Sequence, residues 1–111
     1  MEIYWKNKKL RLQLEDLSFL QKKYDIKTAH NIVKRLQEIK YSPSYVNLPP
    51  SSRKHSIKDG KKFKYFAVDL PSTGSGRGKW RLIFIPYGKD VDMSNQKTIT
   101  SIEIMGIIDY H

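Results

Sequence analysis

His55 and Lys58 within KHSIKDGK, Lys79 and Arg81 within KWRLIF, and Asp109 and His111 in the closing Asp109-Tyr110-His111 can each move a proton or neutralise a phosphate. Cleavage of RNA by its own 2′-hydroxyl needs such groups. A base takes the hydroxyl proton, cations stabilise the phosphorane, an acid protonates the leaving 5′-oxygen, and no metal is required. Tyr110 can stack on an unpaired base or hydrogen-bond to it. Taken singly, each residue has a plainer reading. Lys58 and Lys79 are ordinary solvated charges, Arg81 at the start of a strand can pair with Asp69 or Asp109, and a chain-terminal histidine is usually frayed. His111, however, follows directly on a strongly apolar stretch, which favours its being ordered.

The charge balance points the same way. Of the 111 residues, 21 are Lys or Arg and 11 are Asp or Glu, giving a formal charge of +10, and a field of that sign attracts polyanions. The charge is also uneven. Residues 53 to 64 (RKHSIKDGKKFK) hold six basic groups, Arg53, Lys54, Lys58, Lys61, Lys62 and Lys64, against Asp59 alone, whereas residues 98 to 111 hold two acids and no Lys or Arg. The basic run, with His55, Lys79 and Tyr110, is the expected RNA-binding set.

Several chemistries drop out. There is no cysteine, so disulfides, thiolate catalysis and cysteine zinc sites are excluded. The three histidines, His30, His55 and His111, lack metal-ligand spacing, so neither a metal nor another cofactor is expected. GSGRG is not a phosphate-binding P-loop, because no Gly-Lys-Ser/Thr follows it. No stretch nears the roughly 20 apolar residues of a membrane span, and MEIYWKNKK lacks the apolar run of a signal peptide. A soluble cytoplasmic protein with no membrane partner is expected.

The elements that must position these residues follow from periodicity. Leu10, Leu14, Leu17 and Tyr24 predict one amphipathic helix over 8 to 24. Ala29, Ile32, Val33, Leu36 and Ile39 predict a second over 28 to 40, capped by Thr28 and ending before Ser42-Pro43. YSPSYVNLPPSSR reads as an extended connection. FKYFAVDL, KWRLIFIPY and TITSIEIMGII predict three strands, with IYW near the start as a fourth, joined by the flexible loop PSTGSGRG and by the polar stretch 88 to 97. KWRLIFIPY is apolar at both parities and should be central, covered on both faces. In the last strand Ile102, Ile104, Ile108 and Tyr110 share one parity, and Glu103, Met105, Ile107, Asp109 and His111 the other.

In this order and spacing the motifs resemble the HigB branch of the RelE/ParE toxin superfamily over most of the chain. KNKKLRLQLE is similar to the family's basic first helix, and NIVKRLQEIK to its second, with the R-L-Q-x-I pattern. KHSIKDGK is similar to its His-x-Leu-Lys-Gly segment and WRLIF to its Trp-Arg-Leu/Ile-x-Phe strand, and the chain closes on Asp-Tyr-His. The resemblance implies a ribosome-associated endoribonuclease that cuts mRNA and is neutralised by a cognate antitoxin, often a helix-turn-helix DNA-binding repressor. It further implies that Arg81 stabilises the transition state, His111 and Asp109 act as acid and base, Lys58 adds a cation, and Tyr110 positions the RNA. Lys79 before the tryptophan, a longer first helix and the extended PSTGSGRG loop depart from the pattern.

The expected fold is a single α/β (α+β) domain over 1 to 111, RelE-like, with two N-terminal helices on a mainly antiparallel sheet of three to four strands. Two rival functions are a ParE-like inhibitor of DNA gyrase and a non-enzymatic nucleic-acid-binding module. The Lys58, Arg81 and Asp109-Tyr110-His111 set favours the nuclease over the gyrase inhibitor, which needs no acid/base pair, whereas charge alone would suffice for the binding module.

Overall fold

The computed structural model describes residues 1 to 71, 80 to 88 and 91 to 109. The class is α+β, and among the described residues three helices accompany one mixed five-stranded sheet. The chain opens with β1 (Glu2–Trp5) and continues through α1 (Lys8–Leu14), α2 (Leu17–Lys23) and α3 (Ile26–Tyr41). It then forms the strands β2 (Lys54–Asp59), β3 (Lys62–Leu70), β4 (Trp80–Pro86) and β5 (Ser101–Asp109). The helix predicted over 8 to 24 is therefore two helices. Glu15 closes the first, and Asp16 turns extended (ψ 99°) so that its carboxylate accepts the Phe19 N–H at 3.2 Å and starts the second. A capping carboxylate of this kind contributes about 1 kcal/mol, enough to favour a fresh helix start over a continuous one.

The next helix starts two residues earlier than periodicity suggests, because Asp25 and not Thr28 is its cap. Asp25 Oδ1 accepts the Thr28 N–H at 2.7 Å and Oδ2 accepts the Thr28 hydroxyl at 3.0 Å, which lets Thr28 be fully buried. The helix ends before Pro43 as predicted, with Ser42 donating through both N–H and hydroxyl to the Glu38 carbonyl. The connection that follows is not simply extended. It makes two 3-10 turns, at Tyr45–Asn47 and Pro50–Ser52, and buries Tyr45 against Phe66 with ring centroids 3.9 Å apart.

Strand order is β1-β5-β4-β3-β2, so β4 is central as predicted. The IYW segment does form a strand, and it lies parallel to β5 while the remaining pairs are antiparallel. The strand β2 lies within what reads in sequence as a basic run. It forms a hairpin with β3 through Gly60-Lys61, and Gly60 (φ 65°) occupies the first turn position, where primed hairpin turns need a positive φ.

Phe66, Val68 and Leu70 of β3, Leu82 and Phe84 of β4, and Ile102 and Ile104 of β5 form one core with Leu14, Leu20, Ala29, Ile32 and Ile39 of the helices. The alternate residues Tyr65, Ala67, Asp69, Arg81, Ile83 and Ile85 point to the other face. The helices cover the first face of β4, and on the second face Ala67 and Ile83 are buried as well.

One irregularity governs the site. In the β4–β5 ladder Ile83 pairs with Gly106 but Phe84 pairs with Ile104, leaving Met105 as the extra residue of a β-bulge. Gly106 sits at φ 145°, a conformation that side-chain-bearing residues rarely adopt. Beyond the bulge the alternation of β5 is reversed. Ile107 falls on the core side opposite Leu82, Ile108 opposite Arg81, and Asp109 opposite Trp80. The unbroken parity expected from the sequence therefore holds only as far as Ile104.

Candidate functional site

At one end of the open face, three strands contribute one side chain each. Arg81 Nε donates to Asp69 Oδ1 at 3.0 Å, and His55 Nε2 lies 3.1 Å from the same oxygen. The register explains the meeting. Asp69 and Arg81 are direct cross-strand partners, and His55, opposite Ala67, is their diagonal neighbour on the same face. Asp69 and Arg81 side chains are each 16% exposed and His55 is 37% exposed, so the carboxylate and guanidinium are partly withdrawn from water while the imidazole stays reachable. A carboxylate hydrogen-bonded to one ring nitrogen of a histidine orients the ring and fixes its tautomer, leaving the other nitrogen for proton transfer. A nearby guanidinium adds a permanent positive charge. Together these can bind and polarise a phosphodiester.

The other predicted residues are distributed differently. Lys58 pairs with the core-packed Phe63 across a second bulge, so it lies on the opposite face of β2 from His55. Asp109, opposite Trp80, is likewise on the helix-packed side, and Ile108 takes the place beside Arg81. Lys54 faces the core side opposite Val68, where its Nζ donates to the carbonyls of Tyr45 and Val46, both at 3.3 Å, and sits 4.9 Å from the Tyr45 ring centroid. It is a tie between β2 and the first 3-10 turn. Lys61 in the hairpin turn, Lys62 and Lys64 are exposed, and Lys64 Nζ lies 5.8 Å from the Tyr65 ring. Arg53 is exposed in the left-handed conformation (φ 50°) that leads into β2. Lys79, Tyr110, His111 and nearly all of the PSTGSGRG loop lie outside the described residues.

Asp69 enters the sequence reading only as a possible counter-ion for Arg81, yet it is the residue on which the cluster converges. Its signal is an acid inside the apolar run FAVDL of β3, at the parity away from the core. Sequence reasoning also passes over Arg35. This arginine lies within the apolar stripe of α3, is 4% exposed, and donates through Nε to the Asp69 carbonyl at 2.9 Å and through Nη1 to Glu38 Oε1 at 2.8 Å. A charge at a core position of an amphipathic helix is the clue it gave.

A cleft of about 800 Å³ lies along β1, lined by Ile3, Trp5, Arg11, Glu15 and Lys40 among others, at the sheet edge remote from His55. Its polar groups are largely spent on each other, with Arg11 and Glu15 3.0 Å apart. No family model and no curated protein matches this chain. Among the described residues no three His, Cys, Asp or Glu side chains gather as metal ligands, and no helix is long and apolar enough to cross a membrane.

Proposed function

We propose that the chain is an RNA-cleaving toxin of the RelE/HigB kind, acting on mRNA at the ribosome and held in check by an antitoxin encoded beside it. The observation that carries this reading is the convergence of His55 and Arg81 on Asp69 Oδ1, on an open sheet face of a protein with charge +10. His55 takes the proton of the 2′-hydroxyl as the 2′-oxygen attacks phosphorus. The bond to the 5′-oxygen breaks, leaving a 2′,3′-cyclic phosphate and a 5′-hydroxyl. Arg81 stabilises the charge that builds on the phosphorane, and Asp69 keeps both groups in place. Tyr110 positions the RNA, as the family resemblance implies, and His111, one of the two acid/base groups it implies, protonates the 5′-oxygen. The exposed Lys61, Lys62 and Lys64 hold the RNA backbone.

A second reading has its own support. Arg81 is already engaged by a carboxylate and is largely covered, as in a purely structural ion pair, which suits a nucleic-acid-binding module that cleaves nothing. Incubating the protein with translating ribosomes and mapping RNA ends separates the two. Cuts that vanish with Arg81→Ala and His55→Gln support the nuclease, and a further loss in the chain ending at Tyr110 supports His111 as the acid. RNA that is bound but never cut overturns the nuclease reading.

A further inference from the structure

Asp69 lies near the end of β3, one residue past the last rung that β2 provides, Lys54 with Val68. On its other side the β4 ladder continues through Asp69–Arg81 and Leu70–Trp80, and where β2 has ended the main chain is held from the helix layer instead. Arg35 donates to the Asp69 carbonyl at 2.9 Å, and Asn31, one helical turn earlier, donates to the Pro71 carbonyl at 2.6 Å. Two side chains four apart on α3 thus grip two carbonyls two apart on the departing strand. Arg35 is itself fixed by Glu38, whose second oxygen accepts from Ser51 at 3.4 Å.

An arginine at this place is not what packing alone asks for. Ile32 and Ile39 flank it on the same stripe, and an apolar residue would fill the site without the desolvation cost of a buried ion pair. What the guanidinium adds is direction: a charge-assisted hydrogen bond, in surroundings of low dielectric, to one chosen carbonyl. We infer that Arg35 is the positioning residue of the His55–Asp69–Arg81 cluster, fixing the Asp69 main chain from the helix layer and so setting where the carboxylate meets its two cations. The link to turnover rests on the nuclease reading; the link to cluster geometry does not.

The test compares the parent chain with Arg35→Lys, which keeps a charge for Glu38 but loses the Nε fork, and with the double variant Arg35→Met/Glu38→Leu, which replaces the buried pair by apolar side chains. Ile39→Ala, on the same helix stripe, controls for plain destabilisation. The readout is side-chain NMR of Arg81 Nε–H and of the His55 ring, with Arg11 Nε–H, bonded to Glu15 far from the cluster, as internal reference.

In folded Arg35 variants, loss of one hydrogen bond's worth of restraint should speed Arg81 Nε–H exchange about tenfold and move the His55 ring signals, while Arg11 stays as it was. Where the parent cleaves RNA, kcat should fall with KM held. Unchanged Arg81 and His55 signals in a folded variant overturn the inference, and so does the same change in Ile39→Ala. A parent that binds RNA without cutting it overturns the nuclease reading alone, since the NMR comparison still decides the role of Arg35.

Discussion

Ile108, and not Asp109, stands directly opposite Arg81 in the β4–β5 ladder. The exchange is the work of one extra residue, Met105, and of the φ 145° at Gly106 that accommodates it. It sends the carboxylate of Asp109 to the helix-packed side and leaves Asp69 as the acid paired with Arg81 on the open face.

Gly106→Ala should therefore destabilise the protein by about 1–3 kcal/mol, the cost of holding a side-chain-bearing residue in such a conformation. A Cβ there would meet nothing within 4 Å, so the loss is backbone strain and not a clash. Urea denaturation measures it. A variant as stable as the parent would show that the bulge does not need glycine.

Asp69→Ala leaves the largely covered guanidinium of Arg81 without this carboxylate and should cost about 1–3 kcal/mol of stability. If Asp69 also orients His55, Asp69→Asn, which keeps the shape, should slow RNA cleavage by about 10- to 100-fold at intact fold. Single-turnover cleavage and circular dichroism on the same samples check this. Full activity in a folded Asp69→Asn would reduce the carboxylate to a structural role.

The basic run divides into two kinds of lysine. Replacing Lys61, Lys62 and Lys64 together with glutamine should lower the salt dependence of RNA binding by about 2 in the log–log slope, as expected for three phosphate contacts on a single strand. Lys54→Gln should leave that slope almost unchanged. It should instead cost about 1–2 kcal/mol, because Lys54 Nζ is committed to Tyr45 and Val46. Affinity measured over a salt series, beside denaturation curves, distinguishes the two. Equal effects on the slope would show that the division is wrong.

Tyr45 gives a pH signature. It is only 2% exposed, and burial pushes its phenol from 10.0 up to about 12. The folded state thus favours the protonated phenol. Its contribution is whole below pH 10 and is lost as pH rises from 10 to about 12, amounting to roughly 3 kcal/mol at the upper end. Among the seven tyrosines Tyr4 and Tyr24 are also raised, so phenolate absorbance should show more than one late step, and Tyr45→Phe should remove the latest of them. A chain whose tyrosines all titrate near pH 10 while folded would contradict this burial.

How much of this was legible in the sequence depends on where the physics is local. The strands β3, β4 and β5 and the end of α3 at Pro43 follow from apolar runs and from proline sterics, which are properties of a few neighbouring residues. The break at Asp16 was missed because the apolar spacing of Leu14 and Leu17 continues across it, while the cap that divides the helices is a competing local bond. The strand β2 was missed because KHSIKD looks like a solvated charge run, and only its pairing with β3 makes it extended. In the site, the charge and the candidates His55 and Arg81 were readable. The convergence on Asp69 was not, because it depends on the register of three strands and on a bulge that alternation cannot reveal.

The pairing of β1 with β5 has a kinetic side. Residues 2 to 5 lie against residues 101 to 104, and this parallel contact is among the most non-local the chain can make. During synthesis β1 must wait for the residues up to 104 before the whole of its partner strand has left the ribosome. Until then Ile3 and Trp5, which pack on the finished core, lack the cover that β5 gives them. The β2–β3 hairpin and the helices need no residue beyond 70, whereas the sheet edge at β1 needs β5, so a chain stalled before Ser101 should be held by chaperones or degraded instead of folding.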